Sequence, residues 1–122
     1  MGGRVLLIED EPNIIEAIRY ILTRDGWTVD THSDGATAIE AVHRKKPDGI
    51  ILDVMLPNRS GYDILADLRG SEETAALPIL MLTARGQTKD REMAERYGVS
   101  RFMTKPFSND EVLESVRELV PR

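Results

Sequence analysis

The sequence predicts an α/β fold: a five-stranded parallel sheet with helices on both faces, doubly wound as (βα)5. Three observations predict it. Short apolar runs alternate five times with longer stretches whose apolar residues recur at helical spacing. The run inside "GIILDVMLP" (49–57) is apolar almost throughout, as in a strand covered on both faces. The chain has 122 residues and no cysteine, so one domain over 4–120, with one core and no disulfide framework, is expected.

The elements follow in order. "RVLLIE" (4–9) is the first strand. "PNIIEAIRYILTR" (12–24) sets Ile14, Ala17, Ile18, Ile21 and Leu22 on one helical face, with Pro12 in the first turn and Gly26 at the stop. "WTVDTH" (27–32) alternates as a strand. "DGATAIEAVHRKK" (34–46) is a helix with Asp34 as N-cap and basic residues in its last turn. "DGIILD" (48–53) is the third strand and "SGYDILADLR" (60–69) the third helix. "GSEETAAL" (70–77) reads only as a connection. "PILML" (78–82) is the fourth strand, "TKDREMAERYG" (88–98) a polar helix and "RFMT" (101–104) a short fifth strand. "SNDEVLESVRELV" (108–120) is the last helix, capped by Ser108 or Asn109.

Composition narrows the function. A net charge of -5 argues against a nucleic-acid surface, and the absence of cysteine excludes a thiolate zinc site. No apolar run approaches the roughly 20 residues of a membrane helix. The first ten residues lack a signal-peptide apolar region, since Glu9 and Asp10 interrupt it. A cytoplasmic protein is expected by elimination.

In a parallel α/β sheet the ligand sits at the carboxyl ends of the strands, at a switch in strand order. Read off the sequence, that rim holds Glu9, Asp10, Asp53, Thr83 and Lys105, with His32 and Ser33 set apart. Close carboxylates repel and raise one another's pKa. A divalent cation resolves the repulsion, and Mg²⁺ prefers one or two carboxylates, waters and a phosphate oxygen. Lys105 and the Thr83 hydroxyl suit the remaining phosphoryl oxygens. Asp53, ionised beside such a group, is then a candidate nucleophile.

"LLIEDE", "ILDVMLPNRSG", "MLTA" and "FMTKPF", in this order, resemble the receiver domain of bacterial two-component response regulators, the CheY-like fold. The resemblance runs over about residues 4–120. It implies that Asp53 accepts a phosphoryl group from a sensor histidine kinase or a histidine phosphotransfer protein. It implies Mg²⁺ (or Mn²⁺) held by Asp10, by Glu9 through water, by Asp53 and by the backbone carbonyl of Met55. It implies a phosphoryl contact from Lys105, a cis Lys105–Pro106 bond, and a switch in which Thr83 moves and Phe102 turns inward. Phe102 carries no hydroxyl, so it is expected partly inward without phosphate. Ile15 falls outside the first helix's core set, so it is expected exposed near the rim, where it and Pro106 would dock the phosphodonor. The two Asp of OmpR-like dimer faces are replaced by Ser100 and Arg101, so that dimer is not assigned. Met55 and Arg85 are expected to flank the water path and slow hydrolysis of the acyl phosphate. Gly61 is expected to let the third helix start close to the loop.

Other functions fit less well. A Mg²⁺-dependent aspartyl-phosphate phosphatase typically needs a second acid two residues after the nucleophile, where Met55 stands. A dinucleotide-binding domain needs a Gly-rich first turn, and here it is "EDEPN". A degenerate receiver is disfavoured by the complete rim.

Overall fold

In the computed structural model the chain is described for residues 3–84 and 88–121. The element order is β1 (Arg4–Ile8), α1 (Pro12–Arg24), β2 (Thr28–His32), a 3-10 turn (Gly35–Thr37), α2 (Ala38–Lys45), β3 (Gly49–Asp53), α3 (Gly61–Arg69), β4 (Ile79–Thr83), α4 (Thr88–Arg96), β5 (Arg101–Thr104) and α5 (Asn109–Leu119). All strand pairs are parallel, in the order β2-β1-β3-β4-β5. The order reverses between β1 and β3, so the two strands carrying the acids flank the switch point.

Strand alternation divides the core. Leu6, Ile8, Ile50, Leu52 and Met81 face α2, α3 and α4, packing on Val42, Ile64, Leu65 and Ala94. Val5, Leu7, Ile51, Leu80 and Leu82 face α1 and α5, packing on Ile18, Leu22, Val112 and Val116. Every residue of β3 and β4 is buried, because helices cover both faces.

Helix ends follow their local chemistry. Asp34 Oδ1 accepts from the Ala36 N–H at 3.0 Å and from Asn58 Nδ2 at 2.8 Å, which ties the β2–α2 and β3–α3 loops together. The helix read from Asp34 therefore opens as a 3-10 turn and becomes α-helical at Ala38. Ser108 and Glu111 form a reciprocal capping box at the start of α5. Trp27 is buried ahead of β2 instead of opening it, and its indole N–H reaches Asp25 at 3.1 Å. Arg117 of α5 pairs with the same Asp25 at 2.5 and 3.0 Å, clasping the ends of α1 and α5.

The face of α1 corrects the expectation for Ile15. Ile18, Ile21 and Leu22 are buried, and Ile14 and Ile15 are both half-buried against the α1–α5 core, while Ala17 is exposed. At about 100° per residue, Ile15 lies about 60° from Ile18 around the helix and Ala17 about 100°. The buried face is centred on Ile18, so it takes Ile15 and leaves out Ala17.

Candidate functional site

The rim is assembled by backbone bonds that run one residue past the strands. Glu9 N–H donates to the His32 carbonyl at 3.0 Å, Val54 N–H to Leu82 at 3.0 Å and Lys105 N–H to Thr83 at 2.7 Å. Glu9, Asp53, Thr83 and Lys105 are thereby fixed at the carboxyl edge. Gly61 closes the β3–α3 loop, with its N–H on the Val54 carbonyl at 2.8 Å. A Cβ at Gly61 would stand 2.2 Å from the Asp53 carbonyl oxygen and 2.9 Å from Val54 Cα. Backbone atoms cannot yield as side-chain ends do, so only glycine lets α3 begin this close to Asp53.

Two of the acids are buried, Glu9 at 0% and Asp53 at 1% exposure, while Asp10 opens to solvent. Carboxylate oxygens of Glu9, Asp10 and Asp53 all lie within 4.8 Å of one another. Glu9 Oε1 accepts from the N–H groups of Asp10 (3.1 Å) and Glu11 (3.2 Å). Its Oε2 is buried without a well-aligned hydrogen bond among the described residues, and Lys105 Nζ stands 3.1 Å away. Lys105 Nζ also lies 3.3 Å from Asp53 Oδ1 and 3.3 Å from Glu11 Oε1.

The electrostatics follow from this packing. Burial, then the charge of Asp53, push the Glu9 carboxyl up to about 7, against the pull of Lys105 and the loop N–H. Burial likewise raises Asp53, opposed by the Lys105 charge, by side-chain contacts from Glu9 and Lys105, and by the Met55 N–H. Burial works against the Lys105 charge, yet Asp53 and Glu9 hold its pKa above the ordinary value. One ammonium thus does not neutralise the acids beside it, and the deficit is one of positive charge.

The remaining expected residues take definite places. Thr83 is buried at the end of β4, one residue past Leu82, the register partner of Asp53. Strand alternation puts Thr83 on the same face as Met81, whose partner in β5 is Phe102. Phe102 is 8% exposed and packs in the α2–α4 core. The Arg91 guanidinium of α4 covers its ring at 5.1 Å. The Lys105–Pro106 bond is cis and Pro106 is exposed. Ile14, and not Ile15, lines the recess beside Lys105, together with Glu11, Ala84, Pro106 and Phe107. Met55 is exposed at the rim, and Arg85 lies outside the described residues. Ser100 accepts from the Ile79 N–H at 2.9 Å and from Arg69 at 3.3 Å, while Arg101 pairs with Glu118 of α5 at 2.7 Å.

Sequence reading missed Glu11 and Arg91. Glu11 had a visible signal, as the third acid of "EDE"; its contact with Lys105 joins residues far apart in the chain. Arg91 had none, since one arginine on a polar helix is ordinary.

Residues 5–117 match the family described as the response regulator receiver domain. The probable transcriptional regulatory protein TcrX of Mycobacterium tuberculosis is 42% identical over 118 residues, covering 97% of this chain and 50% of TcrX. This chain therefore spans about half the length of that relative. The receiver domain of the sensor histidine kinase PA1611 of Pseudomonas aeruginosa superposes with a TM-score of 0.88 at 30% identity, covering 98% of each chain. That structure has a magnesium ion coordinated in its active-site cleft. The chemotaxis protein CheY4 of Vibrio cholerae superposes with a TM-score of 0.90 at 25% identity, covering 98% of this chain and all of the CheY4 chain.

Proposed function

The chain belongs to the response regulator receiver domain family, and from that premise we propose that it takes a phosphoryl group from a phosphohistidine protein onto Asp53. One observation carries this reading. Asp53 is a buried carboxylate at the switch point, 3.3 Å from the Lys105 ammonium and clustered with Glu9 and Asp10.

A divalent cation suits the site on its own chemistry. The acids outnumber the one ammonium among them, and Glu9 Oε2 is buried without a well-aligned donor. Glu9, Asp10, Asp53 and the Met55 carbonyl would hold Mg²⁺ or Mn²⁺, which would supply positive charge to the carboxylates and to the incoming phosphate.

The residues of the chain do the rest. An Asp53 Oδ attacks phosphorus; the O–P bond forms as the N–P bond to the donor imidazole breaks. The imidazole leaves with the electron pair of that bond and the proton it takes from solvent. Asp53 needs no base, because it reacts ionised. Lys105 meets one phosphoryl oxygen and the Thr83 hydroxyl another, which neutralises charge gathering on the transferred group. Movement of Thr83 is relayed to Phe102 through the shared strand face. A sensor histidine kinase or a histidine phosphotransfer protein is the donor, docking over the recess of Ile14 and Pro106. The output lies with a downstream target, and the reaction is stoichiometric, as befits a signalling module rather than an enzyme with turnover.

The test is intact mass after incubation with acetyl phosphate and Mg²⁺. Wild type is expected to gain one phosphoryl mass, and Asp53→Asn or chelator to abolish the gain. An equal gain in Asp53→Asn would overturn the assignment.

A further inference from the structure

Glu11 occupies the N-cap of α1, yet its side chain makes no cap hydrogen bond. Short side chains such as Asp, Asn and Ser serve that position, because they reach back to the first turn. The longer Glu11 leaves the cap unmet and extends to Lys105 Nζ at 3.3 Å. An ammonium has three N–H donors. Asp53 and Glu11 each take an N–H at 3.3 Å, while Glu9, at 3.1 Å without an aligned hydrogen bond, holds the ammonium by charge. A phosphoryl oxygen reaching Lys105 competes with these carboxylates for its N–H donors.

The three partners are not equally easy to leave. Glu9 is fully buried, so water cannot take the place of Lys105 beside it. Asp53 carries the incoming group, so its contact is converted instead of lost. Glu11 is 58% exposed and can pass to water at little cost. We infer that Glu11 is a positioning residue: it holds Lys105 in the resting state and is the partner exchanged for the phosphoryl oxygen. This rests on the reading of Asp53 as acceptor and adds how the lysine is made available.

Two variants separate the contact from bare charge. Glu11→Gln removes the charge and weakens the contact. Glu11→Asp keeps the charge on a side chain one methylene shorter, which falls short of Lys105. Both are followed by intact mass with acetyl phosphate and Mg²⁺, over a range of donor concentrations. If Glu11 restrains Lys105, both variants are phosphorylated about two- to fivefold faster at saturating donor, the fold-change equivalent to a half-exposed ion pair. A gain in Glu11→Gln alone, seen as a lower half-saturating donor concentration, would mean only that a rim charge repels the donor, and would overturn the inference. Unchanged or slower reaction in both would overturn it too. Wild type that takes no phosphoryl group would overturn the Asp53 reading and this inference together, so the two failures are distinguishable.

Discussion

Glu9 makes a pH dependence of stability that can be worked out from its surroundings. Its carboxyl is raised from 4.5 to about 7, first by burial and then by Asp53. A raised acid pKa means that the folded chain keeps a proton which the unfolded chain releases. The stability from this group is therefore fully present below pH 4.5 and is lost as pH rises through about 7. The gap corresponds to about 3 kcal/mol, at about 1.4 kcal/mol for each tenfold in proton affinity. Glu9→Gln removes the titration and keeps the shape. Unfolding is followed in chelator from about pH 4 to about pH 8 for both proteins. Wild type is expected to lose about 3 kcal/mol relative to Glu9→Gln across that window, or roughly 10 °C in Tm. Millimolar Mg²⁺ is expected to remove the wild-type slope, because a cation favours the ionised carboxylates. Parallel profiles in chelator would refute the reasoning.

Three further outcomes are expected. Lys105→Met removes the ammonium between Glu9 and Asp53, so it should cost about 3 kcal/mol in metal-free protein near neutral pH, by urea unfolding, and slow phosphorylation at least about tenfold. Gly61→Ala forces a methyl group onto the Asp53 carbonyl and should cost about 1–3 kcal/mol, with reduced Mg²⁺ affinity by calorimetry. Arg91→Ala uncovers the Phe102 ring and should cost about 0.5–1 kcal/mol, with NMR shifts of the ring protons showing the change.

Much of the fold was legible in the sequence because apolar runs and helical spacing report burial directly. All five strands and five helices lie where periodicity placed them, with shifts at the ends. Ile15 was misplaced because five apolar positions on a helix fit two overlapping faces, and only packing on α5 decides between them. Trp27 was drawn into β2 by the alternation of "WTVDTH", whereas its indole N–H is spent on Asp25. The rim was legible because topology alone brings strand ends together. The role of Glu11 was not, because its partner lies at the other end of the chain and local capping preference would have aimed its carboxylate at its own helix.

The most direct measurement locates the phosphoryl group itself. Protein phosphorylated with acetyl phosphate and Mg²⁺ is reduced with borohydride, which turns an aspartyl phosphate into homoserine, and is then mapped by peptide mass spectrometry. The account requires homoserine at Asp53 and at no other position. Homoserine elsewhere, or a phosphoryl label on a histidine or a hydroxyl with Asp53 intact, would contradict it.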